Sequence, residues 1–479
     1  MTHSGHCQLS YRLAAAAVLC ACLLTAASSA VAAAPSAWQM TPYRVQVLVA
    51  VSPEARLAPR VQAQLRADLA ARIDAVVGAA WEATVAPAPP ALGRALLANI
   101  DALVPNAVAA AALKCDKAML VAITPAGGGL RVTARDFDVL TQTFSPSAAR
   151  AVWQVGMLRD AVADALFAAF APLARVERAQ KDQVLLRPKA AALPTRDPNL
   201  SLLRVGDVFR PIMRSSDRDG KFRRAAPVPW TFCTVEKLTA DEARCRVTSG
   251  MRGALALRGR GRVESLALRI VPPHGSTTLL LESRTAPKVP LAGYDVYARL
   301  TGEKSSTLLG RTNRQGRLVV PPGEGLVRVL SVRNGGELLA RLPVVPGLEP
   351  QVTAEIANDD RRLEAEGFIT GLQEELVDLV ARREVLMSRI RARIEAKQLG
   401  KAGELIEELR RMPAAQQFVF RLTSAQQRLA TSDAVVQHKV DALLADTRKL
   451  IDKHLDPRGI EDLEKQLRSA EEAGKAKSP

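Results

Sequence analysis

Residues able to do chemistry are sparse in this chain, and their spacing suits few reactions. Past residue 34 the histidines are His274, His438 and His454. His274 stands in the loop Pro272-Pro273-His274-Gly275. The other two lie on helical sequence with no Cys or carboxylate at metal-ligand spacing. Acid pairs occur at Asp359-Asp360, Glu374-Glu375 and Glu407-Glu408, at a helix start or within helical charge pattern. General acid–base work instead needs carboxylates that converge on one substrate. There is no H-E-x-x-H, G-x-S-x-G, S-x-x-K or Walker loop. Ser216–Gly220 (SDRDG) lacks the alternating acids and distal Glu of an EF-hand and reads as a polar turn. No catalytic, cofactor-binding or metal-binding residue is therefore assigned. The expectation is a non-enzyme, with a hydrolase working through scattered Asp and Glu as the alternative from another class.

Two other residue groups carry expectations. The formal net charge is +17, and the excess is dense between Arg204 and Arg269. Arg210, Arg214, Arg218, Arg223, Arg224, Arg258, Arg260 and Arg262 in that stretch form either a solvated basic surface or a site for an anionic envelope polymer or lipid. Aromatics make up only 4%, too few to stack bases, so nucleic acid is not an expected partner. Cys233 and Cys245 flank a turn centred on residue 239, so a symmetric hairpin sets them face to face and predicts a disulfide, with two buried thiols as the alternative. Cys115 reads as a small buried hydrophobe.

The positioning elements begin after a leader. Arg12 ends a short polar start, Leu13–Ala27 is apolar, and the small residues to Ala34 contain Ala30-Val31-Ala32. This is the pattern of a secretory signal peptide over residues 1–34, cleaved near Ala32. Lipid attachment at Cys22, within Leu19-Cys20-Ala21-Cys22, is the alternative. An exported, periplasmic or secreted protein is expected, in a compartment where disulfides persist. Past Ala34 no apolar run reaches the roughly 18 residues of a membrane span.

The fold class expected is multidomain α+β. Residues 40–190 read as an α/β unit: the strand Tyr43–Val51, an amphipathic helix Leu57–Gly78, strands at Trp81–Val85 and Ala118–Thr124, a Gly127–Gly129 hairpin, and a closing helix Met157–Phe170. With its "CDKAMLVAI" and "VTARDFDVLTQTF" segments, this order resembles the small periplasmic domains of the TolB N-terminal, curli-secretion lipoprotein and flagellar T-ring families. Lys114–Ala118 replaces their Gly-Ala-Asp, and the Asp138–Thr141 stretch lacks their Thr-Gly. The resemblance implies a docking module without catalytic residues.

Residues 199–272 read as a small all-β, barrel-like domain opened by Gly206-Asp207-Val208-Phe209, with hairpins at Pro229–Glu236/Ala243–Ser249 and Leu255–Arg260/Arg262–Ile270. Seven short runs between Thr277 and Ile356 predict a β-sandwich over 277–357. Its Leu309–Leu318 stretch resembles the turn of transthyretin-like (carboxypeptidase-regulatory-like) domains, with Gly316 at a positive φ and Asn313 where Asp is usual. Residues 359–470 predict a helical hairpin or bundle, with Leu372, Leu376, Leu379, Leu386 and Ile390 as one stripe, and residues 471–479 a frayed tail. The functional expectation is an exported scaffold or assembly protein that binds an envelope partner or itself through the C-terminal helices. Anion binding through the Arg204–Arg269 region is the alternative.

Overall fold

The computed structural model describes residues 36–475 except 110–113, 181, 220, 240–241, 256–262, 273–274 and 304. The signal peptide, Cys22, Arg258, Arg260, Arg262 and His274 lie outside the described residues. A mixed sheet comes first: β1 (Tyr43–Val51), β2 (Trp81–Pro87), β3 (Lys117–Ala126), β4 (Gly129–Asp138), and the short β5 (Thr143–Phe144) and β6 (Ala148–Val152). The order is β2-β1-β3-β4-β5, with β6 also on β4 and with β1 parallel to both β2 and β3. Parallel strands need covered faces. Helices α1 (Pro59–Val77) and α3 (Leu158–Ala169) bury Leu69, Ile73, Val162 and Leu166 against Val47, Met119 and Val121. Helix α2 (Pro90–Asn99) covers Leu48, Leu120 and Ala122 on the other face.

The next sheet closes on itself. Its strands are β7 (Leu173–Gln180), β8 (Gln183–Pro188), β9 (Val208–Ser216), β10 (Phe222–Pro227), β11 (Thr231–Leu238), β12 (Ala243–Ser249) and β13 (Val263–Ile270). Pairing runs β9-β11-β12-β8-β7-β13 and back to β9, a closed six-stranded barrel with β10 as an extra strand on β9. The barrel expected from residue 199 therefore takes its β7–β8 hairpin from the stretch read as α/β, because β8 pairs with β12 and β7 with β13. Strand β13 pairs with β9 and β7; the 255–260 half of the hairpin expected for it lies almost wholly outside the described residues. The outer barrel residues Leu173, Ile212, Leu266 and Leu268 join the α/β core.

Strands β14 (Thr277–Ser283), β15 (Asp295–Leu300), β16 (Thr307–Arg311), β17 (Arg317–Val320), β18 (Arg328–Asn334), β19 (Glu337–Val344) and β20 (Gln351–Ile356) match the seven expected runs. They form a three-stranded sheet, β17-β14-β20, and a four-stranded one, β16-β15-β18-β19, over a core with Leu279, Tyr294, Val296 and Leu330. Gly316 has φ +70°, and a Cβ there would meet the Leu281 carbonyl oxygen at 2.5 Å, so only glycine fits. The Asn313 carboxamide oxygen accepts from the Gln315 and Arg317 amides, 2.9 Å each, which holds the turn.

The C-terminal region has five described helices: α4 (Asp360–Glu395), α5 (Leu399–Arg410), α6 (Ala415–Arg428), α7 (Ala434–His454) and α8 (Arg458–Lys475). Helix α4 is shared between two clusters. Its first half packs Leu372, Leu376 and Leu379 against Phe418 and Leu422 of α6 and Val436 and Val440 of α7. Its second half packs Leu386 and Ile390 against Ile406 and Leu409 of α5 and Leu463 of α8. The tail expected to fray from residue 471 continues α8 to Lys475.

Candidate functional site at the unit junctions

A buried group of ionisable side chains lies where the α/β unit meets the barrel. The β3–β4 hairpin register sets Lys117 opposite Asp138 and Met119 opposite Asp136, so both acids share the face of Lys117. All three are buried. Lys117 Nζ lies 2.9 Å from Asp138 Oδ2 and 3.0 Å from Asp136 Oδ2, and donates to the Ala171 carbonyl at 2.6 Å. Asp136 Oδ2 also accepts the Ala171 amide at 3.0 Å. Tyr43 Oη accepts from the Leu173 amide at 2.9 Å and donates to its carbonyl at 3.2 Å. Arg269 donates to the Phe170 carbonyl at 2.9 Å. Residues 170–173, which connect α3 to β7, are thus gripped by side chains from both units.

Two carboxylates face one ammonium here. Burial raises the Asp136 carboxyl to about 6 against the opposing pull of Lys117. Burial disfavours the Lys117 ammonium, but Asp136 and Asp138 outweigh it and raise its pKa. Asp138 Oδ1 accepts the Thr141 amide and hydroxyl at 2.7 Å each. Gln142 follows at φ +52°. The stretch read as lacking Thr-Gly therefore keeps its Thr, with Gln142 in the left-handed conformation that glycine adopts most easily.

The later junctions use the same device. Arg210 of β9 pairs with Glu349 before β20 at 2.7 Å, beside Val208, Phe232 and Ile270 packed on Val327 and Val345. Between sandwich and helices, Tyr294 Oη accepts from the Asp359 amide and donates to Asp360 Oδ1, both at 3.0 Å. Arg362 donates to Asp359 Oδ2 at 2.7 Å and to the Asn334 carbonyl at 3.0 Å. Arg284 forks onto Asp433 at 2.8 and 2.6 Å, while Asp433 Oδ1 caps α7 through the Val435 amide at 3.1 Å. The Arg284 hydrogen bonds hold the Asp433 carboxyl below its usual range. Seven charged residues are buried among those described, and six of them (Lys117, Asp136, Asp138, Asp359, Arg362 and Asp433) sit at these junctions; Arg383, within α4, is the other.

The residues singled out from sequence are scattered. Arg210 is committed to Glu349, and Arg214 to Glu264 at 3.0 Å and the Leu140 carbonyl at 3.1 Å. Arg218, Arg223 and Arg224 are exposed around the β9–β10 turn, with no carboxylate within ion-pair distance among the described residues. Cys233 and Cys245 are free thiols inside the barrel. The expected facing pair is corrected by the register: Cys233 lies opposite Val247 and Cys245 opposite Val235, which makes the cysteines diagonal neighbours. Diagonal cross-strand neighbours lie about 7–8 Å apart, beyond the roughly 4–7 Å between the Cα atoms of a disulfide. Burial raises both thiols, Cys245 to about 12.

No protein-family model matches the chain, and no curated protein matches it in sequence. Among solved structures, TolB from Acinetobacter baumannii aligns over 67% of this chain and 97% of its own, at 14% identity and a TM-score of 0.18. A second structure, pT26-6p, aligns over 78% and 95%, at 9% identity and a TM-score of 0.08. Scores this low carry no argument about function. No described helix is long and apolar enough to cross a membrane.

The Lys117 group was missed in the sequence, although its signal was present. A hairpin centred on Gly127-Gly128 pairs Lys117 with Asp138, and a Lys opening an apolar strand opposite Asp-x-Asp marks a buried ion cluster. A cleft of about 220 Å³ between barrel and sandwich includes Trp230, Phe232 and Leu348 in its lining, and its carboxylate, Glu349, is already bound to Arg210.

Proposed function

We propose that the mature chain is a non-catalytic, exported scaffold that holds four folded units in fixed succession and binds an envelope protein, or a second copy of itself, through its C-terminal helices. The observation that carries this reading is where the buried charge sits. Burying a charge is costly unless it is paired, and among the described residues six of the seven buried charged side chains sit at joints between units. Such joints fix spacing and orientation, which a scaffold needs. The helices offer the contact surface: Phe420 on α6, Val377 and Val385 on α4 and Val435 on α7 are apolar and exposed. A photo-crosslinking residue at position 420, in the exported chain in its own cells, is expected to capture one discrete partner or a second copy. Capture in proportion to protein abundance would overturn the reading.

A second reading, anion binding by the barrel, is favoured by Arg218, Arg223 and Arg224, which have no carboxylate within ion-pair distance among the described residues, beside the exposed Phe222. Salt-dependent sedimentation with envelope fractions separates the two, because charge contacts weaken steeply with salt and apolar packing does not.

A further inference from the structure

We infer that the outer face of the barrel carries a phosphate-binding site between Arg178 of β7 and Arg244 of β12, on a surface separate from the helices and independent of the scaffold reading. Both residues are in register with the same residue of the strand between them, Leu185 of β8. Neighbouring strands are about 4.8 Å apart, so the two Cα atoms are about 10 Å apart across β8, within reach of one anion for two arginine side chains. Lys237 of β11 stands opposite Arg244 and extends the row. Arg178, Arg244 and Lys237 are exposed and have no carboxylate within ion-pair distance among the described residues. Like charges in direct cross-strand register destabilise a sheet, so such a row needs a reason.

Two β-bulges supply that reason. The pairing of β7 shifts between Val176 and Arg178, and that of β11 between Val235 and Lys237, which makes Glu177 and Glu236 the extra residues. Each glutamate is turned to the next arginine along the barrel: Glu177 lies 2.6 Å from Arg187, and Glu236 lies 2.5 Å from Arg246. Without the bulges, strict pairing would carry the acids into the row. Bulges re-aim side chains in this way beside functional sites. The row borders a depression of about 270 Å³ lined by Arg178, Gln180, Gln183, Val184, Leu185 and Arg244. Two guanidinium forks with two carboxamide donors suit a phosphate group, whose oxygens accept bidentate charge-assisted hydrogen bonds. The group could be carried by a soluble phosphate compound or by a lipid headgroup.

The test uses the full mature chain, titrated with inorganic phosphate by calorimetry at constant ionic strength, with chloride as the control anion. Wild type is expected to bind phosphate, and Arg178→Gln/Arg244→Gln to bind it at least tenfold more weakly. Arg60→Gln/Arg72→Gln/Arg94→Gln removes more charge, from exposed positions of the α/β unit, and should leave affinity within twofold. Co-sedimentation with phosphatidylglycerol vesicles, against phosphatidylcholine vesicles, separates the sources. Sedimentation lost in the double variant assigns a lipid headgroup, and phosphate binding without sedimentation assigns a soluble compound. No phosphate binding by wild type, an unaffected double variant, or an equal loss in the triple variant would overturn the site.

Discussion

Lys117→Met is the most informative single change, because it removes the ammonium and keeps most of the stem that fills the space. Asp136 and Asp138 then remain buried with no counter-charge, and the Ala171 carbonyl loses its donor. Removing one partner of a buried pair costs about 3–5 kcal/mol. The Asp136 carboxyl is already penalised in the wild type, and the loss of Lys117 adds to that penalty. With Lys117 present it sits at about 6 against a reference of 3.8, and a rise of about two units is a penalty of roughly 3 kcal/mol at neutral pH. Because the folded value is the higher one, the native state holds the extra proton between about pH 4 and 6. That contribution to stability is complete below about pH 4 and lost as pH rises through 6. Losing Lys117 removes the pull that opposes this rise and pushes the Asp136 carboxyl further up, so the variant should gain more than wild type on acidification. Urea unfolding followed by Trp fluorescence at pH 7.5 and pH 5 reads this, since Trp81 packs 4.6 Å from the Phe170 ring at the gripped connection. The expected result is a loss of about 3–5 kcal/mol at pH 7.5 that shrinks clearly at pH 5. An unchanged transition, or a loss of equal size at both values, would refute the view that buried, unbalanced charge organises this junction.

Two further outcomes follow from the joints and the barrel interior. Asp433→Ala removes both the cap of α7 and the acceptor of the Arg284 fork; about 2 kcal/mol is expected, more than a cap alone and tempered by the partial exposure of Arg284, with faster amide exchange in the first turn of α7 as the check. Cys233 and Cys245 should resist alkylation at pH 8 in the native protein and both react in urea, because burial keeps them as thiols; a non-reduced peptide linking them would contradict the register.

Short-range pattern was enough for whatever is decided within one element and its turns. The seven sandwich strands were legible because each is a brief apolar run bounded by turn residues, and Gly316 declared a conformation that other residues adopt only under strain. The stripe from Leu372 to Ile390 announced a packing face, though it did not reveal that α4 divides it between two helix clusters. Chain-distant pairing was not legible. Strands β7 and β8 close the barrel through β12 and β13, which lie beyond residue 190, where the α/β unit was expected to end. The hairpin pairs Leu238 with Ala243, a register offset from one centred on residue 239, so two cysteines that symmetric counting had placed face to face come out diagonal. Charge behaved likewise: arginine density in sequence pointed to Arg210 and Arg214, which the fold pairs with Glu349 and Glu264. A run of residues sets its own periodicity and turn chemistry, whereas burial and ion pairing depend on neighbours brought from far along the chain, and those only the tertiary structure supplies.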